Sequence, residues 1–586
     1  MRINQKLFGG HIYEYRTSSV KMEIPMKKKN VFISLLLVVF YILIREYIYY
    51  SPMLTKPPEI LEKKISIKEE HHVESVYVKS QNVQQEKTTQ QLGRIYTKEP
   101  HVSHEKTTQK SSISNHCVDS YDLDPKKSAA ASMSKIVLLG NERKLFELRD
   151  NITVRITLSD GNGKAKSVGG DQVRVWMVEP AKKANSTGYV TDHGNGTYTG
   201  HLKALWVGSP VIRSAIAITC EGIGVRHHAL KVPGKLRMVV GVFKSQKIVE
   251  ETDCGPSLNF KGEFCNFTAE NFGLPWFCAR PKNTKLLCHD WVKVRGVYQV
   301  TYTGQETAMM KGHNLLKPEI NIKVTSKDNR ELHVSPPPVA CNRFPSTKTW
   351  SLKSPVGFFF QGKWFSTYCS STIEDSVAVY TKCLQNRRIQ IIGDSTSEHW
   401  LKVLEQMLHF QRVGSFRHHR PIVTVLKSNN ITMSWFTHGY PFLHPRIANN
   451  KAFSKPVHVY LDKIPKGSND IVIFNLYVHF NAYTPDILQR QAHALVNSVH
   501  SVKKRSPNVT IAFKGFHAFG DTKIFLDDYW ASVYELIIKK EFASILDKVI
   551  YLNCWDITVC TENENFHNSN EIDKEMVHIA LSHICR

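Results

Sequence analysis

Apolar positions along the chain fall into distinct regimes. Between roughly residues 130 and 240 they alternate. NITVRITLSD, DQVRVWMVEP, GTYTGHLKALW and PVIRSAIAITC are period-two or continuous β-branched runs, the pattern of half-buried strands. Turn-rich stretches separate them, DGNGK at 160–164 and DHGNGT at 192–197. Several short strands at this spacing predict an antiparallel β-sandwich over residues 121–240. In the second turn, Asn195-Gly196 supplies the positive-φ position of a hairpin and Tyr198 then points inward. From about residue 341 to 586 the pattern becomes strand–helix alternation. RRIQIIGDS, NDIVIFNLYVHF and NVTIAFKGF are short apolar strands. TSEHWLKVLEQMLHF, PDILQRQAHALVNSVHSVKK and DDYWASVYELIIKK are amphipathic. That alternation predicts a parallel sheet covered on both faces. Residues 241–340 lie between, and their composition is that of a loop-rich, cysteine-bearing connector.

The beginning of the chain is different again. Val31–Ile44 is a run of fourteen residues with one serine and no charge, preceded by Lys27, Lys28 and Lys29 and followed by Arg45 and the aromatic run Tyr47–Tyr50. Counted to Tyr50 it reaches the ~20 residues of a bilayer span. Basic residues dominate positions 1–30, so the positive-inside rule keeps that tail cytosolic, makes 31–50 a signal anchor and sends the rest to the lumen. A cleaved signal peptide is the competing reading, with secretion as its consequence. Residues 51–120 are polar and poor in apolar side chains, which predicts a flexible stem.

Cysteines and sequons agree with a lumenal body. All twelve cysteines lie at or after Cys117, with no CxxC pair of the zinc or thioredoxin kind. The spacing of Cys254, Cys265, Cys278 and Cys288 fits no zinc site, so structural disulfides are expected there and no metal. Six Asn-x-Ser/Thr sequons follow residue 150, at Asn151, Asn185, Asn195, Asn266, Asn430 and Asn508, and are candidate glycosylation sites. The formal net charge of +25 admits anionic partners. Without a zinc finger, an RNP motif or a long basic block in the folded part, no nucleic-acid partner is expected.

The chemistry concentrates in IIGDSTSEHW, 391–400. A strand ends at Ile392, Gly393 allows a sharp turn, and a helix begins near Thr396. Ser395 therefore stands at a helix N-terminus above the carboxyl edge of a parallel sheet, where such sheets bind ligands. The helix dipole there favours a developing oxyanion, and the Ser395 N–H is one candidate donor. The bland alternative is a helix-capping serine. A serine nucleophile needs a base and an orienting acid. Glu571–Cys585 reads as a last amphipathic helix that contains His578 and His583; the resemblance of this region to SGNH enzymes, which place their histidine in a loop before such a helix, implies His567 as the base. Glu564, at the D-x-x-H spacing of those enzymes, and Asp556 in CWDIT, which resembles a W-D-x-T element of the same family, are equal candidates for the acid.

The stretch VGFFFQGKWFSTYC…YTKCLQNRRIQIIGDSTSEHWLKVL (356–404) resembles the opening of the PC-esterase branch of SGNH proteins. GYVTDHGNGTYTGHLKALWVGSPVI (188–212) resembles filamin-type and neurexophilin immunoglobulin-like domains. Together with the PWFC…C connector, they make the chain similar to the neurexophilin and PC-esterase (NXPE) family over roughly residues 120–586. The resemblance implies an immunoglobulin-like sandwich followed by an SGNH-hydrolase-like α/β domain. It also implies a Golgi or secretory-pathway membrane protein and acyl transfer to a glycan or glycoprotein, including sialic acid O-acetylation. No cofactor is bound; acetyl-CoA is the implied acyl donor. At Tyr477-Val478-His479 the family pattern looks like G-x-H-F, so His479 stands as an oxyanion donor beside Ser395, with Asn475 as a further candidate and Tyr477 in place of glycine. WFTHGYP (435–441) resembles a family W-x-x-H-G-x-P element and brings His438 toward the pocket. Phe566-His567-Asn568-Ser569 departs from the family's V-H-P-P. Two functions remain open: a serine-dependent O-acyltransferase or esterase, and a catalytically inactive, neurexophilin-like binding glycoprotein.

Overall fold

The computed structural model describes residues 115–585 except 141–143, 258–261, 311–313, 328–330, 332–336, 338, 411–420, 439–454 and 521–528. The basic tail, the anchor segment 31–50 and nearly all of the stem lie outside the described residues. Among the described residues no helix is long and apolar enough to cross a membrane.

The alternating region forms two facing antiparallel sheets. One has the order Lys135–Leu138, Asn151–Thr157, Thr197–Lys203, Tyr189–Asp192. In Asn151–Thr157 the residues Ile152, Val154 and Ile156 are fully buried while Arg155 is exposed, because successive side chains point to opposite faces. They meet Val175, Met177 and Ile212 from the opposing sheet, and Trp206 from the segment that links the two sheets, in one core. Tyr198 joins that core, and its hydroxyl donates to Asp171 Oδ2 at 3.0 Å. In the hairpin before it Gly196 has φ +79°, and a Cβ there would lie 2.2 Å from the Lys166 carbonyl oxygen. Conformation and space both demand glycine at that position.

The larger sheet runs Asn314–Leu315, Val211–Ile218, Gln172–Glu179, Ala184–Thr187, Gly357–Phe360, Lys363–Ser366. Its last two strands come from beyond residue 341. Phe358 and Phe359 pair antiparallel with Ser186 and Asn185, so a hairpin of the C-terminal region completes the sandwich. Asn185, now on an interior strand, has a buried side-chain oxygen. The other five sequon asparagines are exposed.

Residues 236–300, loop-rich by composition, build a five-stranded antiparallel sheet: Phe264–Asn266, Phe277–Ala279, Ile248–Gly255, Leu236–Ser245, Trp291–Val300. Its core is Phe243, Phe267, Trp276 and Trp291, closed by the disulfides Cys254–Cys278 and Cys265–Cys288. The four cysteines expected to form disulfides thus pair with one another, across directly opposed strand positions in the first case. Cys117–Cys220, Cys341–Cys369 and Cys383–Cys585 complete five bridges. Cys554 and Cys560 are free and buried.

The C-terminal region holds a six-stranded sheet: Ile422–Leu426, Ile431–Thr437, Arg388–Gly393, Ile471–Phe474, Thr510–Lys514, Ile550–Leu552. All neighbours are parallel except the antiparallel edge strand Ile422–Leu426. Ile471 and Ile473 enter one core with Trp400, Leu404 and Leu581. Val472 and Phe474 enter the other with Leu488, Leu495 and Tyr534. Helices Ser395–Met407 and Asn570–Ile584 therefore cover one face and Pro485–Arg505 and Tyr529–Glu541 the other. Strand Arg388–Gly393 is followed by a strand on one side of it and then by Ile471–Phe474 on the other, so the connections reverse between these two strands. That reversal opens the crevice in which doubly wound sheets bind ligands.

Candidate active site

Ser395 opens its helix at this crevice. Asp394 caps the helix: its Oδ1 accepts from Thr396 N at 2.9 Å and from Thr396 Oγ1 at 2.7 Å. Its Oδ2 accepts from Val478 N at 3.1 Å, which ties the turn to the neighbouring strand's exit loop. Asp394 is fully buried. Burial alone would raise its pKa, but His479, His438, Lys514 and the Thr396 hydrogen bond outweigh it and hold the carboxyl far below the usual range. Gly393 serves by its size: a Cβ there would sit 1.6 Å from Asn475 Oδ1. The close approach lets Asn475 Oδ1 accept from Asp394 N at 3.2 Å while its Nδ2 donates to Thr396 Oγ1 at 3.3 Å. Asn475, expected as an oxyanion donor, is thus engaged in bracing the turn.

Ser395 is half-buried and its Oγ lies 2.7 Å from His567 Nε2. Its own N–H stands in the first turn, where backbone donors have no intrahelical acceptor. His567 reaches this position on a pinned loop. His517 Nε2 donates to the Phe566 carbonyl at 2.9 Å, Asn563 Nδ2 to the Ala518 carbonyl at 2.9 Å, and Gly520 N to the Glu564 carbonyl at 3.1 Å. Further back, Glu562 (φ +54°) accepts from Trp176 Nε1 at 2.8 Å and Arg213 Nη1 at 2.7 Å, both sandwich residues.

Neither expected acid meets His567. Asp556 is fully buried and accepts from Ser354 Oγ at 2.6 Å and Val356 N at 2.7 Å, anchoring the segment that leads into the Gly357–Phe360 strand. Burial pushes its carboxyl up to about 6. Glu564 is exposed. Among the described residues no carboxylate hydrogen-bonds His567. Instead the ring stacks on His399, centroids 4.6 Å apart and planes 23° apart, and His399 Nδ1 lies 3.7 Å from the buried Asp573 carboxylate. Asn568 Nδ2 donates to the other Asp573 oxygen at 3.0 Å. Burial, then His399 and Lys402, lower the His567 pKa, while Asp394 and Asp573 oppose them. The ring is held neutral and able to accept a proton near neutral pH. His399 and Asp573 were not singled out from the sequence. The available signal for His399 was its place one turn after Ser395, on the same helix face.

His479 is half-buried beside His438, ring centroids 4.7 Å apart. Buried His438 stacks on Phe480 and donates its backbone N–H to the Gly393 carbonyl at 3.2 Å. Tyr477, in the glycine position, turns into the core against Phe516 and donates to the His517 carbonyl at 3.0 Å. It leaves the crevice open and supports the residue that holds the His567 loop. His578 and His583 lie in the final helix and bond Tyr380 and Tyr368 there, at 2.7 and 3.0 Å. The histidine–cysteine groups at Cys117–Cys220 and Cys341–Cys369 have their sulfurs in disulfides, so they offer no metal site.

A β-sandwich joined through a shared sheet to a doubly wound α/β domain, with a serine–histidine pair at its topological switch point, defines the class of the molecule. Residues 364–585 match the family model "NXPE family member 4-like, C-terminal domain", which makes the C-terminal domain one of the NXPE family's kind. Three solved structures are similar in parts. The Lin-41 filamin domain is 17% identical, covering 15% of this chain and 80% of its own, with a TM-score of 0.13. The Escherichia coli adhesin FdeC is 11% identical, covering 34% and 65%, TM-score 0.12. A carbohydrate esterase family 2 enzyme with its carbohydrate-binding domain, from Corynascus thermopiles (Myceliophthora fergusii), is 10% identical, covering 70% and 98%, TM-score 0.22. At these scores none carries an argument.

Proposed function

We propose that the C-terminal domain is an SGNH-type serine acyltransferase or esterase acting on a glycan, with Ser395 as nucleophile and His567 as base. The observation that carries this reading is the 2.7 Å contact between Ser395 Oγ and His567 Nε2 at a helix N-terminus in the switch-point crevice. Ser395 Oγ attacks the acyl carbonyl and its proton passes to His567 Nε2. The oxyanion is met by the Ser395 N–H and the His479 ring, and His567 returns the proton to the leaving group. A sugar hydroxyl, or water in an esterase, then attacks the acyl-serine with His567 again taking the proton. The family resemblance supplies acetyl-CoA as donor and a sialic acid hydroxyl as acceptor. Asp573 takes the orienting acid's part from behind His399. The sandwich is read as immunoglobulin-like. The five disulfides support a lumenal or extracellular body, and the 31–50 segment a Golgi or other secretory-pathway anchor.

A catalytically silent binding glycoprotein is the second reading, favoured by the lack of a carboxylate on His567. Glycan mass spectrometry of cells expressing wild-type, Ser395→Ala and His567→Ala chains decides between them. The proposal requires that wild type raise glycan acetylation and that both variants lose the effect. Retention in both would leave Ser395 as no more than the first residue of its helix.

A further inference from the structure

Away from Ser395, a cavity of about 280 Å³ opens between the Lys363–Ser366 strand, the Cys341–Cys369 disulfide and the distal half of the last helix. His578 in its wall lies eight residues past the helix start, a rise of ~12 Å along the axis. The cavity stands at the small end of ligand sites, which run ~300–1,000 Å³, so it suits a single ring.

Its polar groups can be assigned by counting protons. The Tyr380 hydroxyl lies 2.9 Å from Asp375 Oδ1 and 2.7 Å from His578 Nδ1. Burial would raise the Asp375 pKa, but the Lys574 and Tyr380 hydrogen bonds outweigh it, so the group is a carboxylate and can only accept. Tyr380 therefore donates to Asp375, and His578 Nδ1–H donates to Tyr380. Burial keeps the His578 ring neutral, so its Nε2 is a bare acceptor. The Ser582 hydroxyl donates to the His578 carbonyl at 2.8 Å. That leaves the Ser371 hydroxyl as the one proton for three acceptors: His578 Nε2 at 3.3 Å, Ser582 Oγ at 2.9 Å and the Ile373 carbonyl at 3.2 Å. The cluster has more acceptors than donors, and Ser371 is exposed where the cavity meets solvent. Trp364 and Tyr368, both half-buried, supply aromatic surface. Among the described residues no Lys, Arg, Asp or Glu lines the cavity, so a charged ligand would lose its hydration with no counter-charge from them.

We infer that this cavity is a second ligand site, separate from the Ser395 crevice, which takes one uncharged, hydroxyl-rich ring such as a neutral sugar residue. Ring hydroxyls donate to His578 Nε2 and Ser582 Oγ, and the ring's apolar face lies on Trp364. Saturation-transfer NMR on the full chain tests this with methyl β-D-galactopyranoside and methyl β-D-glucopyranoside, against glucosamine, glucuronate and cyclohexanol. A neutral glycoside should bind, and Ser371→Val and Trp364→Ala should each weaken it about tenfold, the effect of a lost contact of ~1.4 kcal/mol. Ser395→Ala should leave this binding intact. Ser371 is exposed, so its variant keeps the test meaningful if Trp364→Ala fails to fold. Undiminished binding in Ser371→Val, tighter binding of either charged sugar, equal binding of cyclohexanol, or no glycoside binding at all would overturn the inference.

Discussion

Two of the domain's serine–histidine pairs, one at each proposed site, differ in everything except residue type. Ser395 and His567 are 2.7 Å apart, whereas Ser371 and His578 are 3.3 Å apart. Ser395 begins a thirteen-residue helix, with an ionised Asp394 fixing the turn from beneath. Ser371 has no helix behind it and shares its proton among three acceptors. His567 rides a loop pinned at several backbone points, while His578 sits within a regular helix with its Nδ1 given to a tyrosine. Proximity of a hydroxyl to an imidazole is thus not enough for nucleophilic chemistry. Donors for the developing oxyanion and a hydroxyl with a single acceptor are needed as well, and only the first pair combines them. The second pair has the composition of a recognition site.

The largest expected effect would break this contrast outright. Ser395→Ala and His567→Ala should each lower acyl transfer by a factor of at least ~10³, and the double variant should be little worse, because members of such a unit do not act additively. Loss of the Asp394 cap geometry is not involved, so thermal midpoints should stay within a few degrees of wild type. Trapping the acyl-enzyme and mapping it by mass spectrometry should place the acyl group on the peptide bearing Ser395. An acyl group on Ser371 would show that the pairs have been assigned the wrong way round.

How far the sequence could take this contrast depends on how local each part is. The strand, the turn and the helix around Ser395 are contiguous, so IIGDSTSEHW shows them directly, and His567 is implied by the family resemblance, which places a histidine in the loop before the last helix. The resemblance puts the orienting acid at Glu564, three residues before the histidine, or at Asp556 in CWDIT. The structure places Asp573 one helical turn into the following helix and reaches His567 through His399, a three-body arrangement with no sequence spacing of its own. The Gly357–Phe360 strand was equally hidden, because its partner Ala184–Thr187 lies far back in the chain and strand pairing at such separations leaves no periodic trace. In 236–300 the cysteines and turns suggested loops, yet MVVGVF and WVKVRGVYQV are ordinary strand patterns once two disulfides hold them.

A middle-sized effect sharpens the comparison through pH. His567 must be neutral to act, and its pKa lies below the ordinary histidine value, chiefly through burial. The acid limb of kcat/KM should therefore fall below pH ~6.5, with activity present above it and lost as pH drops through the folded-state pKa. His399 lowers that pKa and Asp573 raises it, so their variants should move the limb in opposite directions. His399→Ala should shift it upward. Asp573→Asn should shift it downward and also reduce the plateau several-fold, by withdrawing charge that stabilises the imidazolium. Movement of both limbs in the same direction would rule out the Asp573–His399–His567 arrangement as the source of the tuning.

The smallest effect concerns why the sandwich is fused to the α/β domain. The His567 loop leaves its helix at Glu562, whose backbone is left-handed and whose carboxylate is held by Trp176 Nε1 and Arg213 Nη1. The final helix that carries His578 is tied elsewhere, to the Lys363–Ser366 strand, where Glu575 Oε2 accepts from Trp364 N at 3.4 Å. Trp176→Phe keeps the aromatic volume and removes one hydrogen bond to an exposed carboxylate that Arg213 still holds. The cost is then at most ~1 kcal/mol. If the clamp positions His567, kcat should fall about two- to fivefold, in line with that energy, with KM unchanged. Glycoside binding in the cavity beside His578 should not change. A matching loss at both sites would mean that Trp176 contributes general stability; a loss at the Ser395 site alone would identify the sandwich as the brace of the catalytic loop.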